Sequence, residues 1–355
     1  MKNGDYALIR KNVIISGEKI EIDEKIIIKN DYKTTFQNKR TTRGYRMEDI
    51  TVKWPKEAKV AVCLTGDIDR AWDLSNGRLE RILEVLDDFG VKFTFPITGR
   101  VFFEDSDTRA RVEQIIDHGD EIAGHGDVHK GFRDQSYDEQ KRRMEETMKI
   151  IREFSGIEIN GFRAPDVNMD IVTLKVADEL GLFYDSSHMI GEAILVNFRG
   201  RFIEIRNKTL RRVISDPIEV IKGPSKRFSL DYKGVGIFGD KEDHCLPFNP
   251  FFEGQKLGIL EIPMSYLDDY GLIEAARIRN WKKIAEIWKR NFDYHYRREG
   301  LYVLEAHPRR IGMREYVGAL RSLVEYAINQ NDVWFATLTE LATWWNKAGL
   351  DVICS

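Results

Sequence analysis

The sequence contains few cysteines, and their spacing limits what they can do. Three occur in 355 residues, Cys63, Cys245 and Cys354. An odd and widely spaced set argues against a disulfide framework and against a zinc site built from thiolates. Cys63 lies inside an apolar run at residues 59–64, so we expect it to be a small buried hydrophobic residue.

The sequence also lacks a long block of charges of one sign. Its 55 basic and 58 acidic residues nearly cancel, which leaves a formal net charge of −3. Nucleic acids and anionic membranes attract a concentrated basic patch, and the sequence shows none. We therefore expect neither nucleic acid nor a membrane as a partner, and we interpret the charges as a solvated surface.

Long hydrophobic runs are missing as well. No uninterrupted apolar stretch reaches the length of a membrane-spanning helix, and residues 1–6 do not resemble a secretory signal. These absences predict a soluble, cytoplasmic protein. Hydrophobic residues make up 42% of the chain, enough for one large domain or for a barrel with an appendage. Assembly into a homo-oligomer is also compatible with these features.

Short apolar runs alternate with amphipathic stretches from about residue 59 onward. Residues 59–65 predict a buried strand, and residues 78–89 predict a helix that Gly90 ends. Further strands are predicted at 91–97, 121–124, 159–162, 182–184, 258–264, 301–306 and 333–336. Further helices are predicted at 107–117, 137–154, 171–180, 275–298, 316–329 and 339–347. The alternation is lost between about His188 and Gln255, where we expect long loops over the site or at an interface.

Alternating strands and helices predict a parallel sheet covered by helices. Seven or eight such units favour a closed barrel, so we predict an α/β fold, a distorted (β/α)7–8 barrel over residues 51–355. Residues 1–50 differ, and we predict that they form a short β appendage. Its predicted strands are residues 13–15, 19–23 and 26–28.

Polar and ionisable residues gather after the predicted strands, where catalytic groups stand in a parallel barrel. Asp67 and Asp69 follow the first strand, and His125 and His129 follow the third. Later strands are followed by Arg163, Pro165, Tyr184, Asp185 and His307. Each has an ordinary explanation by itself. An aspartate can cap a helix, a pair of histidines can lie on the surface, and His307 can be a buried histidine with satisfied hydrogen bonds.

Together these residue types supply what hydrolysis of an amide needs. One carboxylate and two histidines form a standard ligand set for a catalytic divalent ion with open positions for water. A second carboxylate nearby can act as general base. A histidine on the other side can protonate the leaving nitrogen, because an amine is a poor leaving group until it gains a proton.

The order of these motifs resembles that of the NodB-homology polysaccharide deacetylases, carbohydrate esterase family four. The resemblance extends from about Trp54 to Trp345. Asp67 and Asp69 are separated by one residue, as in an Asp-x-Asp sub-branch of the family. The other matching motifs are His125-x-x-x-His129, Arg163-x-Pro165, Tyr184-Asp185-Ser186-Ser187 and His307-Pro308.

The resemblance implies a role for each motif. The implied metal ligands are Asp69, His125 and His129, with zinc as the first choice and cobalt, nickel or manganese as alternatives. Asp67 would be the general base, Arg163 would keep it ionised and oriented, and His307 would be the catalytic acid. The candidate substrate contacts are Tyr184, Asp185, Pro165 and Trp72. Asp185 is also a candidate for orienting His307.

Two positions depart from the family pattern. Gly66 replaces the bulky residue that usually precedes the base, which would open the pocket or move Asp67. Gly126 and Asp127 follow His125 in place of the usual small hydroxylic residue. Asp127 is therefore a candidate for a further polar contact in this loop.

The resemblance implies a metal-dependent hydrolase that removes an N-acyl group, acetyl first, from an amino sugar or polysaccharide. One alternative is hydrolysis of a non-carbohydrate linear or cyclic amide, which the expected cytoplasmic location and the Asp-x-Asp form favour. A second is a catalytically inactive barrel that binds glycans, which the intact base, ligands and acid disfavour. The expected partner is therefore a glycan or a small-molecule substrate.

Overall fold

The computed structural model describes residues 52–133, 135–190, 246–265, 267–275 and 277–350, and the backbone of a few strands outside these ranges. Two of those strands, Val13–Ser16 and Lys19–Ile22, pair antiparallel as a hairpin. They belong to the smaller of two units into which the chain divides after Gly44, and are described by themselves. The predicted strand at 26–28 and the boundary at residue 50 lie outside the described residues and stay predictions.

Eight parallel strands form the main sheet. They are β1 (Val60–Gly66), β2 (Phe93–Ile97), β3 (Glu121–Gly124), β4 (Gly161–Phe162), β5 (Tyr184–Asp185), β6 (Leu260–Glu261), β7 (Leu301–Ala306) and β8 (Val333–Phe335). Their order along the sheet is β6–β5–β4–β3–β2–β1–β7, and β8 also pairs with β1. The sheet is a half-barrel, which confirms the predicted fold class of a distorted β/α barrel.

The distortion lies at β1, which has three neighbouring strands. Its residues 61–66 pair with β7, residues 60–62 pair with β8, and residues 64–65 pair with β2. Because a strand has two edges, β8 and β2 share the edge that β7 does not occupy. The carboxyl end of β1 therefore lies between β2 and β7.

Amphipathic helices cover the sheet. They are α1 (Arg78–Phe89), α2 (Thr108–Asp117), α3 (Tyr137–Ser155), α4 (Ile171–Glu179), α5 (Trp281–Tyr296), α6 (Pro308–Ile311), α7 (Val317–Ile328) and α8 (Leu338–Ala348). Ser136 caps the start of α3, and Gly156 ends it in the left-handed conformation. The helix predicted from residue 275 begins later, because Asn280 caps its first turn. Within the described ranges, no helix has both the length and the apolar character needed to cross a membrane.

β1 is buried along its whole length and divides its side chains between two cores. Val60, Val62 and Leu64 lie in the core that the helices cover. Ala61 and Cys63 lie in the core on the opposite face of the sheet. A strand buried on both faces has a continuous apolar sequence, which is why this segment predicted a buried strand. Cys63 is a buried free cysteine, as expected.

Five strands are shorter than predicted, among them β2, which begins at Phe93, and β8, which ends at Phe335. β4 and β5 keep two residues each. The strand predicted at 258–264 divides into β6 and a second strand, Met264–Ser265, with Pro263 between them. Proline has no amide hydrogen to donate to a ladder, so the pairing is interrupted there.

The stretch after His188 was expected to form loops. It contains an antiparallel pair, Ile194–Phe198 with Arg201–Ile205, so the expectation is wrong for these strands. The apolar run in the first strand, Ile-Leu-Val, is the sequence signal for them. Residues 206–245 lie outside the described part of the chain, so a role of this stretch over the site stays a prediction.

Gly161 is required by its neighbour on β5. A Cβ atom at this position would lie 2.0 Å from the Tyr184 ring. We expect Gly161→Ala to lower the free energy of unfolding by about 2–3 kcal/mol, because the buried ring must move. Gly90→Ala is the control. Gly90 has open space around it but a φ of +62°, so the substitution should lower the free energy of unfolding by about 1 kcal/mol. Equal losses in urea denaturation would contradict the steric explanation.

Candidate metal and catalytic site

The carboxyl ends of four strands bring the predicted site residues to one edge of the sheet. They are Asp67 and Asp69 after β1, His125 and His129 after β3, Arg163 after β4, and His307 after β7. The last residues of β1 and β7, Gly66 and Ala306, are directly paired. Asp67 and His307 therefore begin side by side, although 240 positions separate them in the sequence.

Asp69, His125 and His129 form what we call the metal-ligand triad. Asp69 Oδ1 lies 3.4 Å from His125 Nε2 and 3.2 Å from His129 Nε2, and one ligand atom from each residue lies within 4.8 Å of the others. Asp69 Oδ1 is buried and makes no hydrogen bond with the described residues. Since a buried carboxylate oxygen needs a cation or a donor, this donor set fits a divalent ion.

The electrostatics of the triad favour an ionised carboxylate. Burial alone would raise the pKa of Asp69, but His125, His129 and His307 outweigh it and hold that pKa well below its usual range. His125 Nδ1 donates to the Arg163 carbonyl oxygen at 2.9 Å. That bond fixes the proton on Nδ1 and leaves Nε2 free to act as a ligand.

Arg309 and Asp73 hold the second oxygen of Asp69. The Arg309 guanidinium contacts Asp69 Oδ2 and lies 3.4 Å from Asp73 Oδ2. Asp73 Oδ2 also accepts hydrogen bonds from the amides of Asp69 and Arg70, at 2.8 and 3.0 Å. Asp73 therefore anchors both the backbone of Asp69 and the guanidinium beside the Asp69 side chain. Asp69 Oδ1 remains directed at the histidines.

Asp67 is oriented by a buried arginine. Arg163 Nη1 donates to Asp67 Oδ1 at 2.7 Å and to Thr65 Oγ1 at 2.8 Å. Its other nitrogens donate to the carbonyl and hydroxyl oxygens of Ser186, at 2.8 and 3.0 Å. The second oxygen of Asp67 lies 3.7 Å from His125 Nε2, so the carboxylate faces the triad with its free oxygen.

His307 is held by Asp269. The backbone amide of His307 donates to Asp269 Oδ2 at 2.8 Å, and its Nδ1 donates to Asp269 Oδ1 at 2.7 Å. Nε2 lies 4.0 Å from Asp69 Oδ2, so it faces the triad. Burial opposes the charged imidazole, but Asp269 outweighs burial and raises the pKa of His307 above its usual value. This arrangement suits a proton donor.

The sequence carries the corresponding family signature. A family model described as polysaccharide deacetylase matches residues 56–184, a segment that contains the triad, Asp67 and Arg163. Residues 56–184 are thus similar to a polysaccharide deacetylase domain. The resemblance to NodB-homology deacetylases is thereby confirmed, whereas membership of an Asp-x-Asp sub-branch stays a prediction.

Solved structures share the fold of this chain. One from Mycobacterium smegmatis, named as a polysaccharide deacetylase, has a TM-score of 0.63 and 21% identity, and the match covers 84% of this chain and 94% of that one. PuuE allantoinase has a TM-score of 0.60 and 15% identity, and the match covers 86% of this chain and 98% of that one. A structure from Pseudomonas aeruginosa PAO1, also named as a polysaccharide deacetylase, has a TM-score of 0.57 and 16% identity. That match covers 83% of this chain and 93% of the other. At these identities the likeness shows the fold alone. A comparison with curated proteins found no match.

A cluster of carboxyl groups lies behind the imidazole of His307. Glu305 Oε1 is 3.4 Å from His307 Nδ1. Burial raises the pKa of Glu305 well above its usual range, and the charges of Asp268 and Asp67 add to the effect. Burial thus disfavours the charged form of Glu305, whereas Asp269 accepts hydrogen bonds from both the amide and Nδ1 of His307.

Two predicted substrate contacts are corrected by their positions. Tyr184 is fully buried, and its hydroxyl donates to Glu121 Oε1 at 2.7 Å, at the amino end of the sheet. Asp185 is also fully buried and accepts the amide of Ser187 at 2.9 Å. Burial raises the pKa of Asp185 to about 6. Both side chains support the interior, and neither is positioned to contact a substrate.

The other two candidates differ in exposure. Pro165 is buried beside the loop of the histidines, where a Cβ atom on Gly126 would lie 3.2 Å from its ring. Trp72 is 51% exposed, and the Arg78 guanidinium lies 5.5 Å from its ring. Trp72 therefore stays a prediction as a substrate contact, and Pro165 packs against the metal-binding loop.

Sequence reasoning missed Asp269 and Arg309. Asp269 takes the role considered for Asp185, because it holds His307. The signal was present, since Asp269 follows the short strand Met264–Ser265 as Asp67 follows β1. Arg309 stands two residues after His307, but only the turn of α6 brings its guanidinium to the triad.

The His307–Asp269 pair predicts a pH effect. Because Asp269 raises the pKa of His307, Asp269→Asn should lower that pKa and move the alkaline limb of kcat/KM toward lower pH by on the order of 1 unit. Asp268→Asn is the matched control, since Asp268 accepts the Gly271 amide and does not hold the imidazole. An alkaline limb that stays in place in Asp269→Asn would show that another group sets it.

Proposed function

We propose that this protein is a metal-dependent hydrolase that removes an acyl group, acetyl first, from the nitrogen of an amino sugar in a glycan. One observation carries the proposal. Asp67 lies beside His125 of the metal-ligand triad, and His307 lies beside Asp69. A base and an acid that both border one metal group are the arrangement required to hydrolyse an amide.

The chemistry follows from these positions. When bound by the triad, a divalent ion, zinc first, would polarise the acyl carbonyl and lower the pKa of water. Asp67, oriented by Arg163, accepts a proton from the water whose oxygen attacks the acyl carbon. As the carbon–nitrogen bond breaks, Nε2 of His307 gives its proton to the nitrogen. One water is consumed, and a carboxylic acid and an amine are released.

Hydrolysis of a small non-carbohydrate amide is the second candidate. The observation that favours it is the likeness to PuuE allantoinase, which means that this fold also hosts an allantoinase. A catalytically inactive glycan-binding barrel is less well supported, because the base, the ligands and the acid are all present and close together. The substrate test below separates these possibilities.

The two aspartates should respond differently to the same change. Asp67→Asn should keep its metal, because the triad is intact, and should lose turnover by about 10²–10⁴-fold. Asp69→Asn should bind metal more weakly, because a neutral amide replaces an anionic ligand. Metal content after dialysis and kcat are the two measurements. If Asp67→Asn lost its metal and Asp69→Asn kept it, the two roles would be reversed.

Acyl release tests the substrate class. Protein supplied with zinc or cobalt should release acetate from acetylated chito-oligosaccharides or acetylated nucleotide sugars, with Asp67→Asn as the inactive control. Turnover of small imides with none of these glycans would favour the second candidate. Glycan binding by the metal-loaded protein without release of acetate from any substrate would support the inactive barrel and overturn the proposal.

A further inference from the structure

The histidines of the metal-ligand triad are carried by a loop whose described residues, 125–133 and 135–136, form neither helix nor strand. The loop begins at His125, after β3, and continues to the start of α3. His125 is anchored, because its ring is buried and its Nδ1 donates to the Arg163 carbonyl. His129 is 22% exposed, and the described residues offer no hydrogen-bond partner to its Nδ1. The position of His129 therefore depends on the backbone of the loop.

Arg143 connects this loop to α3. Its side chain is 2% exposed, and the guanidinium lies 4.3 Å from the Phe132 ring. The acceptors of its hydrogen bonds are Asp127 Oδ1 (2.8 Å), Gly131 O (2.9 Å), Gln135 Oε1 (3.2 Å), Val128 O (3.2 Å) and Lys130 O (2.9 Å). An arginine has five N–H donors, so every donor of this guanidinium is directed at the loop.

The loop needs such a cation to keep its shape. Three of its carbonyl oxygens converge on the guanidinium, and without a donor they would repel one another. Asp127 supplies the opposite charge, and its own carbonyl oxygen accepts the Arg100 amide at 2.8 Å. Asp127 is thus held through its side chain by Arg143 and through its backbone by the loop after β2. His129 follows Asp127 by two positions in the same loop.

We propose that Arg143, together with Asp127, is a positioning residue that sets the place of His129 in the metal-ligand triad. The inference rests on the proposed metal-dependent function. Asp127 stands in the stretch where the sequence departs from the pattern that it otherwise resembles. The ion pair with Arg143 gives that departure a physical role, because a ligand displaced by about 1 Å no longer converges with its partners.

Neighbouring residues on α3 provide a matched pair of variants. Arg143→Gln removes the charge and most of the five donors, and Arg142→Gln removes an exposed charge that pairs with Glu139. We expect Arg143→Gln to weaken cobalt binding by about 10–100-fold. Arg142→Gln should stay within about twofold of the wild type, because an exposed ion pair contributes little. The affinity is measured by titration of the metal-free protein with cobalt.

Further variants separate positioning from support of the fold. Asp127 is partly exposed, with 15% of its side chain accessible, so Asp127→Ala should fold even if Arg143→Gln does not. It should also weaken cobalt binding and change the visible absorption bands of the bound ion, while the Tm of the metal-free protein stays near the wild-type value. Arg143→Lys keeps the charge but not the planar set of donors, so it should restore affinity only in part.

The outcomes distinguish this inference from the function on which it rests. A wild-type protein that binds no cobalt would overturn the proposed function and this inference with it. If the wild type binds cobalt and Asp127→Ala binds it with the same affinity and spectrum, only the inference fails. Full restoration by Arg143→Lys would also overturn it, because charge alone would then be sufficient.

Discussion

A carboxylate that is removed from water must be compensated by cations or hydrogen-bond donors, and this constraint governs the residues around Asp69. Asp69 is 5% exposed. Arg309 lies against one of its oxygens, two imidazoles face the other, and Asp73 accepts its backbone amide. Asp69 is thus a buried anion with a fixed cation on one side and two ligand nitrogens on the other. This arrangement favours the binding of a second cation.

Three arginines, two of them buried and Arg309 partly exposed, support this site. Arg163 orients Asp67 from the end of β4, Arg309 lies beside Asp69 from α6, and Arg143 holds the histidine loop from α3. A guanidinium stays charged at all relevant pH values and presents its donors in a rigid plane. Asp67, Asp69 and the loop of the histidines are therefore each held by a group that stays charged. His307 differs from these arginines in being titratable, and its anionic partner Asp269 raises its pKa.

The pairing of parallel strands explains how distant segments meet. β1 and β7 are in register up to Gly66 and Ala306, so the base and the acid emerge from adjacent strand ends. β4 and β5 are only two residues long, and the chain leaves the sheet early to supply Arg163 and Ser186. Short strands thus shorten the hydrogen-bonded ladder of the sheet, and they let more residues at its carboxyl edge place side chains near the triad.

The fold class and the core of the site could be predicted from the sequence, because both depend on local patterns. A continuous apolar run predicts a strand buried on both faces, and the residues that follow it lie at the edge where chemistry occurs. That reasoning selected Asp67, the triad, Arg163 and His307, which the structure brings together at this edge. Local pattern does not show the direction of a side chain, and for this reason Tyr184 and Asp185 were assigned to a substrate and instead lie in the interior.

What the tertiary structure alone decided is which charge neutralises which. Asp269, Arg309 and Arg143 are ordinary charged residues in a chain that is 32% charged, and the sequence does not show which partner each of them meets. Asp269 meets His307 across 38 positions, and Arg309 meets Asp69 across 240. These partners are selected by distance and burial in the folded chain, because an ion pair becomes strong only where water is excluded. The sequence therefore determined the candidate reacting groups, and packing determined the charges that hold them in place.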